Sequence, residues 1–244
     1  MVLGNENTLN IFVDASLTTL EDGTMVTCSG ALAVVDATTA NPKIIDRLFC
    51  INVNSTNNHG ELMAILKGIE LAIAHKHQFS KINIFSDSKI SVYGIRDWCY
   101  KWFNNIEDPY KTIISSTGAP VSNQELIISI IRAIAFNNLS VSIYHQKGHV
   151  DIRNREKVIN AMKTFNANNF FDNERNKIWT TYYQTITMSI FNSMVDSLSR
   201  QYLENLSASD LCNIYFNPFK YGMTQDLFSQ YKSLINMKGG SKLC

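Results

Sequence analysis

Three acids supply the first chemistry this sequence offers. NIFVD (10–14) and KINIFSD (81–87) are short apolar runs that each end on an acid, Asp14 and Asp87, and Glu61 stands near the start of the segment between them. Carboxylates brought together repel, and each raises the other's pKa unless a cation lies between them. Hard oxygen ligands, with no Cys and no spaced His pair among them, suit Mg²⁺ or Mn²⁺ rather than zinc. A single strand-terminal Asp is equally well an N-cap for the turn or helix that follows. Two on neighbouring strands, with Glu61 beside them, favour a cation site.

Such a site needs Asp14 and Asp87 on adjacent strands. CSGALAVVD (28–36) and IIDRLFCINV (44–53) read as two strands that follow 10–14 through turn-rich segments, an antiparallel meander. NHGELMAILKGIELAIAHKH (58–77) then carries Leu62, Ile65, Leu66, Ile69 and Ile73 at helical spacing. After strand 81–87 come a helix over 88–103 with Ile95, Trp98 and Trp102 on one face, a turn-rich stretch (104–120), a helix over 123–136 and a strand over 140–146. This order describes an α/β mixed five-stranded sheet, three antiparallel strands then parallel ones, flanked by helices. A right-handed crossover sets strand 81–87 parallel to 10–14, with Asp14 and Asp87 at neighbouring carboxyl ends about 5 Å apart. Open sheets with parallel strands hold their chemistry at that edge.

Residues 151–180 read as helical, Asn-rich and polar, and a helix holding FNSMVDSLSR (191–200) follows. In it Ile190, Met194 and Leu198, and likewise Phe191, Val195 and Tyr202, recur at helical spacing, while Asn192, Ser193, Asp196, Ser199 and Arg200 line the other side. Taken alone, that polar side is a solvated face.

The totals set few limits. The chain has 244 residues, 45% hydrophobic and 18% charged, as in a folded globular protein, and a net charge of +1 that neither demands nor excludes nucleic acid. Cys28, Cys50, Cys99, Cys212 and Cys244 are scattered and odd in number, without C-x-x-C spacing, which fits free thiols in a reducing compartment. The start MVLGNENTLN has no leader pattern and no apolar run is long enough for a bilayer, so a cytoplasmic location with no membrane partner is expected.

Five segments, in order, resemble type-1 ribonuclease H, the family that cuts the RNA strand of an RNA/DNA hybrid. IFVDAS is similar to the family's first strand with its metal-binding Asp, and STNNHGELMAIL to the T-N-N-x-x-E-L-x-A block. FSDSKISVYGIRDW resembles the T-D-S block with its G-I-x-x-W, YHQKGHV the K-G-H loop, and NSMVDSLSR the N-x-x-x-D-x-L-A helix. The resemblance implies a ribonuclease H-like fold over 1–203, with a helical insertion at 151–185 before the last catalytic helix, and a C-terminal extension at 204–244.

It also implies a site. Metal ligands would be Asp14, Glu61, Asp87 and Asp196, with His149 as the mobile histidine of the K-G-H loop. Thr56, Asn57 and Asn58 would contact the hybrid, Trp98 would lie near the DNA strand, and Asn192 stands four before Asp196 as the family's Asn does. The implied chemistry is endonucleolytic hydrolysis with two Mg²⁺ about 4 Å apart, giving 5′-phosphate and 3′-hydroxyl ends. Polar groups such as Asn57 and Asn58 suit reading of the RNA 2′-hydroxyl.

This chain also departs from the family. ASLTTLEDGT replaces the Gly-rich turn after the first Asp, FNNIEDPYKTIISSTGAP replaces the basic protrusion, and a long insertion separates His149 from Asp196. FDNERNK in that insertion resembles N-E-R-x-D, but Asn176 or Lys177 stands where its Asp belongs, and Asp172 is rejected as the fourth ligand. His59, His75, His77 and His145 read as ordinary polar positions, Trp98 and Trp102 by spacing alone as core, and Arg153, Arg155, Lys157 and Lys163 as a solvated helix face. The competing functions are an inactive hybrid-binding scaffold, against which all four acids stand, and an exonuclease or strand-transfer enzyme of the same fold. Ala15 and Ser16 after Asp14 lack the D-x-E of proofreading exonucleases. A monomer is expected, and residues 204–244 cover the sheet, bind a protein partner, or stay loosely ordered.

Overall fold

A computed structural model of the chain describes residues 7–37, 39, 41–103, 113–167, 178–206 and 225–235. The sheet has five strands: β1 (Thr8–Thr19), β2 (Met25–Val35), β3 (Lys43–Val53), β4 (Lys81–Ser86) and β5 (Val141–His145), in the order β3-β2-β1-β4-β5. β1 to β3 form the antiparallel meander, and β4 and β5 add in parallel beyond β1. The β1–β2 turn closes over Gly23, whose φ of 84° lies where glycine meets no steric cost. There Leu20 N–H donates to Thr24 O and Asp22 Oδ1 accepts the Thr24 N–H.

The strand period of two divides the residues of β1 between two cores. Leu9, Ile11 and Val13 share one core with α1 (Asn57–His75) and α4 (Gln124–Phe136), including Ile65, Ile69, Ile130 and Ile134. Phe12 belongs to the other, with Phe85, Tyr144, Phe165, Met188, Phe191 and Val195, under α5 (Arg155–Ala167) and α6 (Ile178–Glu204). Phe12 stacks at 5.2 Å on Phe85 and 5.3 Å on Phe191, which sets the seat of α6 on the sheet. Truncating Phe12 to Ala in such a position costs about 3–5 kcal/mol.

Helix α6 differs in one respect from its sequence pattern. Ile190, Met194 and Tyr202 are exposed, whereas Thr185, Ser189, Asn192 and Ser199 are buried. Periodicity identified the helix but reversed part of its facing, because α6 lies over the polar end of the sheet as well as over the phenyl cluster. The helix runs unbroken through residue 185. FDNERNK, with Asp172, Asn176 and Lys177, lies outside the described residues, as do 104–112, Cys212 and Cys244.

The helix expected over 88–103 is interrupted. α2 (Lys89–Tyr93) passes into a π-helical turn (Gly94–Trp98) and then α3 (Cys99–Phe103). In the C-terminal extension, α7 (Gln225–Leu234) packs on α4, and Tyr231 and Ile235 belong to the α1/α4 core. Arg153, Arg155, Lys157 and Lys163 are exposed. Among the described residues, no helix is long and apolar enough to cross a membrane.

Candidate metal centre and cleft

Asp14 lies two residues beyond Phe12 and so projects from the same face of β1, the one α6 covers. It is not at the end of β1, which runs on to Thr19 paired with β2. It stands just past the last parallel pair, Val13 with Ser86. Asp87 follows Ser86 directly, so the two acids meet where the parallel ladder stops. Glu61 comes from α1 just beyond its first turn, which is capped by Thr56, whose Oγ1 accepts the His59 N–H at 3.3 Å. Gly60 lets that turn approach: a Cβ there would lie 3.0 Å from the Thr27 side chain and 3.1 Å from Ala15 Cβ. Ser29 Oγ then donates to Gly60 O at 2.8 Å and ties the turn to β2.

Ligand oxygens of Asp14, Glu61 and Asp87 lie within 4.8 Å of one another. Asp196 joins from α6, where Ser16 Oγ donates to its Oδ1 at 3.2 Å and Arg200 Nη2 reaches both of its oxygens, at 3.1 and 2.9 Å. His149 Nδ1 is 3.9 Å from Asp196 Oδ2, and the His149 backbone is left-handed, φ 50°. The four acids and His149 line one open cleft of about 670 Å³ with Asn57, Ser88 and Arg200.

The electrostatics are those of a site short of positive charge. Burial, followed by the charges of Asp87 and Asp196, raises the Asp14 carboxyl from 3.8 to about 8, against the pull of the Ala15 N–H and Arg200. Burial and then Asp14, Asp87 and Asp196 push Glu61 well above its ordinary range. Glu61 Oε2 is buried with no hydrogen-bond partner. A buried carboxylate oxygen left unpaired among other acids costs free energy until a proton or cation satisfies it. An all-oxygen donor set of this kind fits Mg²⁺ or Mn²⁺.

The structure also places the remaining predicted residues. Asn57 lines the cleft, while Thr56 and Asn58 are exposed outside its lining and Thr56 acts as the helix cap. Trp98 is 41% exposed rather than core, stacked at 6.1 Å on Tyr93. Asn192 is not a substrate-facing residue: it is 1% exposed, its Nδ2 donates to Asp87 Oδ2 at 3.4 Å, and its Oδ1 accepts from Gln146 Nε2. Burial beside the phenyl cluster turns it toward the carboxylate instead of the solvent. His59, expected as an ordinary polar position, bonds through Nδ1 to Ser55 Oγ at 2.9 Å.

Four contributors escaped sequence reasoning. Ser16 donates to Asp196 and Gln146 to Asn192 through contacts that no spacing announces, whereas Arg200, one helical turn from Asp196, had the i,i+4 spacing as its signal. Gly148 has a detectable signal, a glycine in a loop beside a histidine, and a geometric reason. A Cβ on it would sit 2.0 Å from Asp87 Oδ2.

Residues 6–182 match the family described as RNase H, a match that stops short of Asp196. The ribonuclease H of Tropheryma whipplei (strain Twist) is 34% identical over 88 residues, 36% of this chain and 49% of that protein. That of Orientia tsutsugamushi (strain Boryong) is 33% identical over 69 residues, 28% of this chain and 39% of that one. The chain thus matches half or less of the length of these curated relatives. The native prototype foamy virus protease-reverse transcriptase has a TM-score of 0.50 at 12% identity, covering 82% of this chain and 21% of that one, a likeness of fold.

Proposed function

The chain belongs to the RNase H family, and from that premise we propose that it is an endonuclease hydrolysing the RNA strand of RNA/DNA hybrids. We propose two Mg²⁺ ions as cofactor, with Mn²⁺ as a substitute, and products with 5′-phosphate and 3′-hydroxyl ends. One observation carries the reading: a buried Glu61 oxygen without a protein partner lies in a cluster with Asp14 and Asp87, on a cleft that Asp196 also lines.

Asp14, Glu61, Asp87 and Asp196 would hold the ions. Bound divalent ions supply charge neutralisation at a phosphodiester and an acidified water as nucleophile. The chain's own groups do the rest. Asn192, itself held by Gln146, donates to the Asp87 carboxylate from behind, and Ser16 and Arg200 donate to that of Asp196. His149, on an exposed loop near Asp196, is placed to accept or return a proton at an imidazole nitrogen. Asn57 lines the cleft, and its amide is a group suited to an RNA 2′-hydroxyl.

The test is a labelled RNA/DNA hybrid with Mg²⁺, beside RNA duplex and DNA duplex controls, for the wild type and the variants Asp87→Asn, Asp196→Asn and Asp172→Asn. Cleavage of the hybrid alone, abolished by the first two substitutions and kept in the third, is expected. Hybrid cleavage that survives Asp87→Asn, or that is lost only in Asp172→Asn, would overturn the ligand assignment. Binding without cleavage by the wild type would make the chain a hybrid-binding scaffold.

A further inference from the structure

The π-helical turn at Gly94–Trp98 is tied to the C-terminal extension. Cys99 N–H donates to Gly94 O, one residue further back than in an α-helix, and the turn widens. The Ile95 carbonyl in this turn accepts two side-chain donors, Cys99 Sγ at 2.7 Å and Tyr231 Oη at 2.5 Å. Tyr231 is fully buried on α7. Its helix is fastened independently, by Gln230 Nε2 on Ala135 O at 2.7 Å and by a parallel bridge from Ile235 to Val141 of β5. The phenol therefore reaches the turn from a position referred to the sheet itself.

What the turn presents outward is an aromatic surface on the side of the cleft, for the Arg96 side chain is only 17% exposed and is paired with Asp97 at 2.9 Å. Trp98 closes the turn at 41% exposure and stacks on Tyr93, while the Arg96 guanidinium lies 5.0 Å and Lys89 Nζ 5.7 Å from the Tyr93 ring centroid. Ser88, the cap of α2, lines the cleft itself. An exposed indole is a stacking face for a nucleic-acid base, and Lys89 adds a cation over the neighbouring Tyr93 ring.

We propose that Tyr231 is a positioning residue for substrate: through the Ile95 carbonyl it holds the π turn, and hence Trp98, in the attitude that receives one strand of the hybrid. This rests on the nuclease reading of the cleft. It gives α7 a role in substrate binding from a position outside the cleft lining. Losing the phenol hydroxyl weakens the hold on the turn and leaves the carboxylates where they are.

The experiment compares the full-length wild type with Tyr231→Phe, Trp98→Ala and the double variant. Tyr231→Phe should raise KM for the hybrid about fivefold, the scale of one buried hydrogen bond, with kcat within about twofold. In the Trp98→Ala background the same change should add nothing to KM, because both act through one contact. Amide exchange in residues 94–99 should quicken in Tyr231→Phe while that of residues 57–75 stays unchanged. A fall in kcat at constant KM, effects on KM that multiply, or unaltered exchange at 94–99 would each overturn the proposal. A wild type that neither binds nor cleaves hybrid overturns the nuclease reading and the substrate role together, and the exchange result then decides separately whether Tyr231 holds the turn.

Discussion

Asn192 Nδ2 lies 3.4 Å from Asp87 Oδ2 across 105 positions of sequence, and both its amide groups are engaged inside the protein. The contact joins α6 to the end of β4 beneath the cleft. Asp87 is thereby oriented from the protein side while its carboxylate remains with Asp14 and Glu61 on the other.

Replacing Asn192 by Ala should therefore act on Asp87 rather than on substrate. It removes the donor to Asp87 and leaves the Gln146 amide without its partner in a buried place, a destabilisation of about 1–3 kcal/mol. kcat on hybrid should fall about tenfold, as for lost support of a metal ligand, with KM little changed. Denaturant unfolding and steady-state kinetics on the same preparation read both effects, and a rise in KM at constant kcat would return Asn192 to the substrate.

Gly148→Ala should displace Asp87 without unfolding the loop. Gly148 is not among the residues with left-handed backbone, so the substitution brings no φ strain, but its Cβ would meet Asp87 Oδ2 at 2.0 Å. The ligand has to swing away, and Mn²⁺ affinity by titration calorimetry should fall at least about tenfold. Unchanged affinity would mean that Asp87 is not a ligand.

The metal-free protein should lose stability as pH rises. Asp14 has its pKa raised in the folded state from 3.8 to about 8, so between those values the native chain holds a proton that the unfolded chain has released. Unfolding then releases protons, and stability falls with rising pH until the folded-state value is passed. Melting temperatures in chelator should drop from pH 5 to pH 8, Mg²⁺ should restore them most at the alkaline end, and Asp14→Asn should make the profile shallower while Glu61, also raised by burial, keeps part of the slope. A metal-free melting point that climbs over that range would contradict the raised pKa.

The sheet was legible because its signals are local. Apolar runs ending on Asp14 and Asp87, a helix with Leu62, Ile65, Leu66 and Ile69 in register, and the meander before it are written in periods of two and near four. The candidate acids came from strand ends and from the resemblance of short motifs, and the structure brings Asp14, Glu61 and Asp87 within 4.8 Å of one another with Asp196 lining the same cleft. α6 was legible as a helix but not in its facing. Ile190 and Met194 look outward because the ground beneath α6 is part phenyl cluster and part polar site, and a one-dimensional period carries no information about what lies opposite.

The amino-acid sequence by itself determined the order of elements and the parallel neighbourhood of Asp14 and Asp87. Only the tertiary structure decided that Asn192 serves Asp87, that Gly148 makes room for it, that Ser16 donates to Asp196, and that Tyr231 reaches the Ile95 carbonyl. The physical reason is range. Periodicity and charge repulsion act between residues whose spacing can be counted along the chain, whereas a buried hydrogen bond forms between groups that only packing brings within 3.5 Å.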